Sequence, residues 1–223
     1  MDIKKNARLR ELIAQPGIVV APGCHDGLTA RLVQQSGFQV CYMGGNGTMA
    51  SYLGIPDIGI GTATEMITRA RYLAETLDIP LVCDADTGYG DVSSVARTVR
   101  EYEGAGVSAI HFEDQVMPKK CGAMEGVQVV PVEEMCMKLR AALDARRDPN
   151  FMIIARTDSY NSYGVDEAIS RCKRFWDCGA DMLMPENLTR REDVARVAHE
   201  LTNYKSPYRD DRPIVLYDVC EFT

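Results

Sequence analysis

Two aspartates separated by one residue follow an apolar segment near the middle of the chain. Residues 79–90 read IPLVCDADTGYG, in which the apolar run predicts a buried strand and the glycines predict a turn before the next helix. On an extended backbone Asp84 and Asp86 would point to the same side, where they could hold one hard cation, directly or through its waters. The alternative is that Asp84 ends the strand, Asp86 lies in the turn, and neither binds a ligand.

Polar or glycine residues also follow most of the other apolar segments. They are Gly44 and Gly45, Glu113, Arg156, Glu186 and Asp218. Together Asp84, Asp86 and Glu113 could form the shell of carboxylates and waters that Mg²⁺ accepts. The planar guanidinium of Arg156 suits a carboxylate or a phosphonate, because it binds such groups through two parallel hydrogen bonds.

A third chemical signal is the sequence Lys119-Lys120-Cys121-Gly122, which lies in a long polar segment. A thiol flanked by cations is expected to have a lowered pKa, and it could act as an acid, a base or a nucleophile. The alternative is a basic loop that carries an incidental cysteine.

Strands and helices that could position these residues alternate along the chain. The predicted strands are 17–24, 40–43, 79–84, 109–113, 152–156, 182–184 and 214–218. Thr62 and Glu65 have the spacing of a capping box, which predicts a helix start. Thr189 and Glu192 have the same spacing, and residues 44–48 predict a glycine-rich loop.

Near-continuous apolar strands that alternate with helices predict a parallel sheet covered by helices. Seven strands at this spacing favour a (β/α)8 barrel of the TIM type over a doubly wound sheet, and the first turn lacks a G-x-G-x-x-G fingerprint. We expect residues 1–223 to form one barrel domain without the last strand-helix unit. In such a barrel the polar residues named above would meet at the carboxyl ends of the strands.

The composition excludes several classes of function. A formal net charge of −7, from 25 basic and 32 acidic residues, argues against non-specific nucleic-acid binding. No apolar run reaches membrane-spanning length, and the amphipathic start is neither a signal peptide nor a transit peptide. The eight cysteines have no CxxC spacing, so neither a disulfide framework nor a structural zinc site is expected. We therefore expect a reducing compartment, the cytoplasm or, if an N-terminal segment is missing, the mitochondrion.

Five motifs occur in order along the chain. They are DADTGYG at 84–90, HFEDQ at 111–115, KKCG at 119–122, ARTD at 155–158 and PE at 185–186. Together they resemble the isocitrate lyase and phosphoenolpyruvate mutase superfamily over about residues 7–222. The resemblance implies a (β/α)8 barrel that binds Mg²⁺ or Mn²⁺ and makes or cleaves a bond next to a carboxylate-bearing carbon. It also implies a small di- or tricarboxylate substrate and a homo-oligomer, either a dimer or a tetramer.

The resemblance implies a metal shell and a gating loop. Asp84, Asp86 and Glu113 would hold the cation. Lys119 and Cys121 would belong to the loop, with Cys121 as the proton donor to the departing enolate. A divalent cation chelated by an α-oxo or α-hydroxy carboxylate stabilises the oxyanion that develops as the carbon bond breaks.

The remaining candidates would contact the substrate or the waters on the metal. They are Gly44, Gly45, Asp57, Gly122, Arg156, Glu186 and Asp218. By the resemblance, Arg156 and Glu186 would clamp the substrate. Closure of the loop would exclude water from the enolate.

Within the superfamily, Cys121 favours the lyase branches over the mutase branch. The segments 43–51 and 53–57 are most similar to the branch that cleaves oxaloacetate or substituted malates, and 2-methylisocitrate lyases share much of the rest. The predicted function is that of a metal-dependent carbon–carbon lyase or hydrolase for a small 2-hydroxy or 2-oxo dicarboxylate. Two alternatives stay open, namely a catalytically impaired scaffold or partner subunit, and a mutase or hydrolase of phosphonate P–C bonds.

Three departures from the family pattern bear on activity. Ala123 stands where the loop normally continues with His, and Asp218 stands where the seventh strand normally ends in Asn. A carboxylate there would repel an anionic substrate unless it were protonated or paired. The sequence ends at Thr223, whereas relatives continue through the last strand into C-terminal helices. We expect such an open barrel either to need a partner that covers its edges or to be a shortened product.

Overall fold

Parallel strands in sequential order form the centre of the molecule. A computed structural model of the protein describes residues 3–219 and contains a six-stranded sheet. The strands are β1 (Gly23–Cys24), β2 (Cys41–Met43), β3 (Leu81–Asp84), β4 (Ala109–Glu113), β5 (Met152–Thr157) and β6 (Met182–Pro185). Every neighbouring pair is parallel, and the order β1-β2-β3-β4-β5-β6 is that of a (β/α) barrel rather than of a doubly wound sheet.

Helices lie between the strands and cover the sheet. They are α1 (Ile3–Ala14), α2 (Gly27–Gln35), α3 (Gly45–Thr48, continued by the π-helical turn Met49–Leu53), α4 (Ala63–Thr76), α5 (Val92–Gly104), α6 (Val132–Ala145), α7 (Tyr160–Asp177) and α8 (Arg191–Thr202). The predicted capping box of Thr62 and Glu65 begins α4, and the side chain of Asp91 caps α5. Among residues 3–219, none of the helices combines the length and the apolar character needed to span a membrane.

The strands contribute to two separate cores. One core lies between the sheet and the surrounding helices and includes Cys83, Ile110, Phe112, Ile153 and Leu183. The other contains the alternate strand residues together with Leu9 and Leu12 of α1. Those strand residues are Val82, Ala109, Met152, Ile154, Met182 and Met184. Because side chains alternate along a strand, the second core fills the inside of the curved sheet, and α1 covers it at the amino ends of the strands.

The first and last predicted strands are shorter than expected. The prediction for 17–24 holds only for β1, and Ile18 before it is exposed. Within the predicted strand 214–218, Val215 forms a single parallel bridge with Leu183 of β6. Both segments lie at the ends of the sheet, where a strand has a hydrogen-bonding neighbour on one side only, and the ladder is short there.

The glycine-rich segment 44–48 was predicted as a loop, and this prediction is wrong. Gly44 is extended and precedes the first turn of α3, in which the hydroxyl of Thr48 donates to the Gly44 carbonyl at 2.7 Å. The low helix propensity of glycine is outweighed here by tertiary contacts, since the Gly45 N–H donates to a side chain of β3.

The predicted capping box of Thr189 and Glu192 is also wrong. Helix α8 begins after Arg190, which makes no side-chain capping bond. Asp193 in the first turn instead accepts a hydrogen bond from the Tyr160 hydroxyl at 2.6 Å and pairs with Arg190 at 2.7 Å. The first turn of α8, which lies within the described residues 3–219, is therefore held by contacts with Tyr160 of α7 and with Arg190, and a capping box is absent there.

Candidate active site

The inward-facing side chains change from apolar to charged toward the carboxyl ends of the strands. Asp84 ends β3, and His111 and Glu113 lie on β4, with Asp84 and His111 paired in the strand register. All three are buried, and one ligand atom of each lies within 4.8 Å of the others. Two carboxylates and an imidazole at this spacing could hold a metal ion.

Glu113 is a buried acid whose oxygens make no hydrogen bond. It is 1 % exposed, and neither oxygen accepts a hydrogen bond from a residue within 3–219. The Lys119 ammonium lies 4.0 Å from Oε1. Burial raises the pKa of Glu113 well above its ordinary value. Because a buried carboxylate is stable in its ionised form only beside a cation, Glu113 fits the role of a metal ligand.

Asp84 is oriented by backbone donors on both sides. Its Oδ1 accepts the Asp86 N–H at 2.8 Å, and its Oδ2 accepts the Gly45 N–H at 3.1 Å. A Cβ atom on Gly45 would lie 2.7 Å from Oδ2, so this close approach requires glycine. Burial opposes ionisation of Asp84, but His111 and two nearby cations lower its pKa to about 2. Asp84 is therefore an ionised, fixed acceptor.

Asp86 lies in the turn that follows β3, which is the alternative backbone arrangement that the sequence left open. Strand β3 ends at Asp84, and Asp86 has φ 47°, in the left-handed region. Its carboxylate forms an ion pair with the Lys119 ammonium. Burial, reinforced by the charge of Asp84, raises the pKa of Asp86 to about 6. The role of Asp86 as a metal ligand stays a prediction. Its neighbour in the structure is the ammonium group of Lys119.

Lys119 reaches from the loop after β4 into the carboxylate cluster. Its ammonium lies 2.6 Å from Asp57 Oδ1 and also contacts Asp86. Burial disfavours the charged form, but the surrounding carboxylates raise the pKa of Lys119 above its ordinary value. The ammonium group therefore ties the loop to two acids that lie on other segments of the rim.

Arg156 on β5 lies beside the same cluster. Its Nε donates to Asp158 Oδ1 at 2.8 Å and its Nη2 to Oδ2 at 3.2 Å, while Nη2 lies 3.5 Å from Glu186 Oε1. The predicted neighbours Arg156 and Glu186 are thus brought together. Sequence analysis missed Asp158, although its position two residues after Arg156 in the ARTD motif was the signal that could have identified it.

The Cys121 thiol differs from its prediction. Its backbone N–H donates to the Asp57 carbonyl at 2.9 Å, and the side chain is half-buried. Burial raises the pKa of Cys121, so the predicted lowering is wrong. The reason is that burial outweighs the attraction of Lys119, whose ammonium is turned toward acids. Neutral Cys121 can therefore donate a proton near pH 7.

Two further contacts hold the loop that carries Cys121 over the carboxylate cluster. A Cβ atom on Gly122 would lie 2.7 Å from Nη2 of Arg156, which means that the loop backbone packs directly on the guanidinium. The side-chain amide of Asn161 in α7 donates to the Gly122 carbonyl at 3.3 Å. Ala123, which follows, is exposed.

Tyr42 and His111 form a pair that sequence analysis missed. The Tyr42 hydroxyl lies 2.8 Å from His111 Nε2, and the rings stack with centroids 5.6 Å apart. Burial lowers the pKa of His111 to about 4, so the ring is neutral at pH 7. Its Nδ1 lies 3.8 Å from Asp84 Oδ1. The available signal was a histidine two residues before Glu113 on a predicted strand.

Asp218 and Gly44 complete the predicted set. Asp218 is half-buried and lies near the pair of Tyr42 and His111, since its negative charge partly offsets the burial that lowers the pKa of His111. Gly44 precedes Gly45, and a Cβ on Gly44 would lie 3.2 Å from the Tyr42 ring. The structure therefore gathers the predicted residues at one end of the sheet.

Comparison with known families identifies the superfamily of the chain. A family model described as phosphoenolpyruvate phosphomutase matches residues 9–208. The chain belongs to the phosphoenolpyruvate mutase and isocitrate lyase superfamily. The membership predicted from the five motifs is confirmed, and with it the barrel fold that this superfamily shares.

Curated relatives in this superfamily include carbon–carbon lyases. The chain is 47 % identical over 198 residues to 2,3-dimethylmalate lyase of Eubacterium barkeri, covering 89 % of this chain and 68 % of the relative. It is 41 % identical over 194 residues to 2-methylisocitrate lyase of Bacillus subtilis (strain 168), covering 87 % and 64 %. The chain thus spans about two thirds of the length of these relatives.

A solved superfamily structure superposes closely on this chain. The complex of oxaloacetate acetylhydrolase with the inhibitor 3,3-difluorooxalacetate gives a TM-score of 0.88 at 36 % identity, covering 97 % of this chain and 71 % of that one. The relatives therefore include both lyases and a hydrolase that acts on a 2-oxo dicarboxylate.

Proposed function

We propose that the protein is a metal-dependent carbon–carbon lyase or hydrolase that cleaves a small 2-hydroxy or 2-oxo dicarboxylate through an enolate. The names of the relatives support this reaction class. The observation that carries the proposal is the Cys121 loop, which lies over buried carboxylates and against Arg156. This arrangement combines an acid, an anion-binding group and ligands for a cation in one cluster at the carboxyl ends of the strands.

The cation would be Mg²⁺ or Mn²⁺, held by Asp84, Asp86 and Glu113. Bound there, a divalent cation would stabilise negative charge that develops on a substrate oxygen. The oxygen-rich donor set supports a hard cation, and the oxygens of Glu113 that lack hydrogen-bond donors support its position. Asp57 and Gly45 would shape the space around this group.

Arg156 would bind a substrate carboxylate. Arg156 is 6 % exposed and its guanidinium is held by Asp158 and Glu186, so few conformations are lost when a ligand binds. Because Gly44 and Gly122 have no side chain, they would let the substrate and the loop backbone lie close to the site. Asp218 would select against a second bulky anionic group near His111.

Cys121 would protonate the enolate carbon as the product departs. Burial keeps the thiol in its protonated form, which suits an acid better than a nucleophile. Lys119 would hold the loop closed through Asp57 and Asp86, and the closed loop would exclude water from the enolate.

We further propose that the chain forms a homo-oligomer. Large apolar side chains near β1 and on α2 are exposed, including Ile18, Val20, Leu28 and Leu32. Burial of such residues is a common basis of subunit contacts. Sedimentation of the purified chain would test this, and a monomer at micromolar concentration would contradict it.

The first test of the reaction is calorimetric titration with Mn²⁺ and Mg²⁺, with and without oxalate as an enolate mimic. We expect oxalate to bind only when the metal is present, because its two carboxylates complete the coordination of the cation. Dimethylmalate, methylisocitrate, oxaloacetate and phosphonopyruvate would then be screened for turnover. Turnover of the last alone would favour the P–C bond alternative.

Cys121→Ser is the matched variant for the chemical step. We expect it to bind oxalate like the wild type and to lose at least about 100-fold in kcat, because general acid catalysis contributes about that much. Absence of oxalate binding in the wild type, with Asp84→Ala behaving in the same way, would overturn the proposal and favour a scaffold role.

A further inference from the structure

The side-chain amide of Gln115 joins the loop to the anion-binding side of the site. Gln115 follows β4 and is 2 % exposed. Its Oε1 accepts the Lys120 N–H at 2.9 Å, and its Nε2 donates to the Lys120 carbonyl at 2.8 Å. The same Nε2 donates its other hydrogen to Asp158 Oδ2. One amide therefore uses all its hydrogens and its carbonyl in bonds to two different elements.

The chemistry of the partners fixes the orientation of this amide. A carboxylate and a backbone carbonyl only accept hydrogen bonds, and a backbone N–H only donates, so the nitrogen of Gln115 must face Asp158 and the Lys120 carbonyl. A carboxylate side chain at the same position could keep only the bond from the Lys120 N–H. Replacement of the amide would thus remove both donor contacts at once.

Asp158 links Gln115 to Arg156. Its two oxygens accept the Nε and Nη2 hydrogens of the guanidinium, which sets the plane of the group. Asp158 is itself fixed by its backbone N–H, which donates to Asp114 Oδ1 at 3.0 Å. The path from the loop to the guanidinium therefore runs through two side chains that are both buried and fully hydrogen-bonded.

We propose that Gln115 is a positioning residue that makes closure of the Cys121 loop and alignment of Arg156 one coupled event. With the loop closed, Lys120 holds the Gln115 amide, and the amide holds Asp158 against Arg156. When the loop opens, Gln115 loses its two bonds to Lys120 and keeps only the bond to Asp158, so the amide is no longer fixed and its hold on Asp158 weakens. The orientation of the guanidinium that binds a carboxylate is then fully fixed only under a closed loop. This inference rests on the proposed role of Arg156 in binding a substrate carboxylate.

The test compares Gln115→Glu with the wild type by two measurements that do not need turnover. The first is the rate at which iodoacetamide alkylates Cys121, followed by peptide mass spectrometry, which reports loop opening. The second is calorimetric affinity for oxalate in the presence of Mn²⁺. In the wild type we expect Mn²⁺ and oxalate together to slow alkylation of Cys121 at least about tenfold.

In Gln115→Glu we expect Cys121 to be alkylated rapidly both with and without oxalate. We also expect an oxalate affinity at least about tenfold weaker than that of the wild type, because the side chain no longer donates hydrogen bonds to Asp158 and to the Lys120 carbonyl. Gln115→Asn keeps the amide but shortens the side chain, and we expect the same direction of change. Unchanged circular dichroism and urea unfolding would show that both variants fold.

Ser162→Ala is the control, because the Ser162 hydroxyl donates to the Val127 carbonyl of the same loop at 2.6 Å and the serine does not bond to Asp158. We expect it to leave oxalate affinity unchanged. If Gln115→Glu speeds alkylation but leaves oxalate affinity at the wild-type value, Gln115 only anchors the loop and the coupling is refuted.

Failure of the proposed function would look different. In that case the wild type itself binds no oxalate with or without Mn²⁺, and the inference fails with the role of Arg156 on which it rests. Failure of the inference alone shows as wild-type oxalate binding that Gln115→Glu leaves unchanged. Equal alkylation rates of Cys121 in Gln115→Glu and Ser162→Ala would also overturn it.

Discussion

The inside of the barrel contains two regions built on the same strands. The lower region, near the amino ends of the strands, is apolar, with Met152 and Ile154 packed against Leu9 and Leu12 of α1. The upper region, near the carboxyl ends, contains the charged cluster. On β5 it begins at Arg156, two residues after Ile154 on the same face. Side chains in both regions are almost completely buried, so burial alone does not distinguish them.

The difference lies in what burial does to each region. Burial of apolar side chains in the lower region lowers the free energy of the folded state. Burial of Asp86 and Glu113 in the upper region raises their pKa, because water is removed from groups that need it when charged. The lower region therefore supplies stability that the upper region uses to hold charged groups in place.

Glu113→Gln should give the largest effect, and it is confined to the upper region. We expect the affinity for Mn²⁺ to fall at least about 100-fold, because loss of a direct ligand should exceed the 10–100-fold cost of changing an outer partner. The free energy of urea unfolding in EDTA should be unchanged or higher, since a buried carboxylate without hydrogen bonds is removed. Calorimetry and urea titration measure the two quantities.

The control for this variant is Glu125→Gln, which makes the same chemical change at an exposed position of the same loop region. It should leave both quantities at their wild-type values. A Glu113→Gln protein that binds Mn²⁺ like the wild type would remove Glu113 from the metal shell.

Ile154→Ala should have the opposite pattern. Truncation of this fully buried side chain is expected to lower the free energy of unfolding by about 2–5 kcal/mol, and Ile154→Val by about 1 kcal/mol, through lost contacts and a residual cavity. Below the unfolding transition, the Mn²⁺ affinity of both variants should match the wild type. A parallel loss of Mn²⁺ affinity would show that the two regions are not separable.

Lowering the pH should also distinguish the two regions, through a smaller change in the free energy of unfolding. Because the pKa of Asp86 is raised from 3.8 to about 6, the native state takes up this proton at a higher pH than the unfolded chain does. The contribution of Asp86 to the stability of the metal-free protein is therefore greatest below pH 3.8 and is lost as the pH rises through 6. Between pH 7 and pH 4 we expect a gain of about 1–3 kcal/mol from this group.

Urea unfolding in EDTA at several pH values would measure this gain, and Asp86→Asn should remove it. Over the same interval Mn²⁺ affinity should fall as the pH falls, because protonated carboxylates do not bind metal. Identical pH dependence in the wild type and in Asp86→Asn would show that the proton is taken up elsewhere.

Local sequence signals predicted the elements that carry the site. Strands β3, β4 and β5 were predicted within a few residues, because near-continuous apolar runs that end in a polar residue are typical of buried parallel strands. The extents of the predicted strands 17–24 and 214–218 were not, because the length of an edge ladder depends on a neighbour that no local pattern describes.

The sequence by itself determined the family, the order of the strands, and the acids, arginine and cysteine at their carboxyl ends, because motif and periodicity are properties of neighbouring residues. The tertiary structure decided which other groups join them. Tyr42 meets His111, and Gln115 meets Asp158, only after distant segments come together. The direction of the Cys121 pKa was decided in the same way, since it depends on burial and on where Lys119 points, and neither can be inferred from adjacent residues.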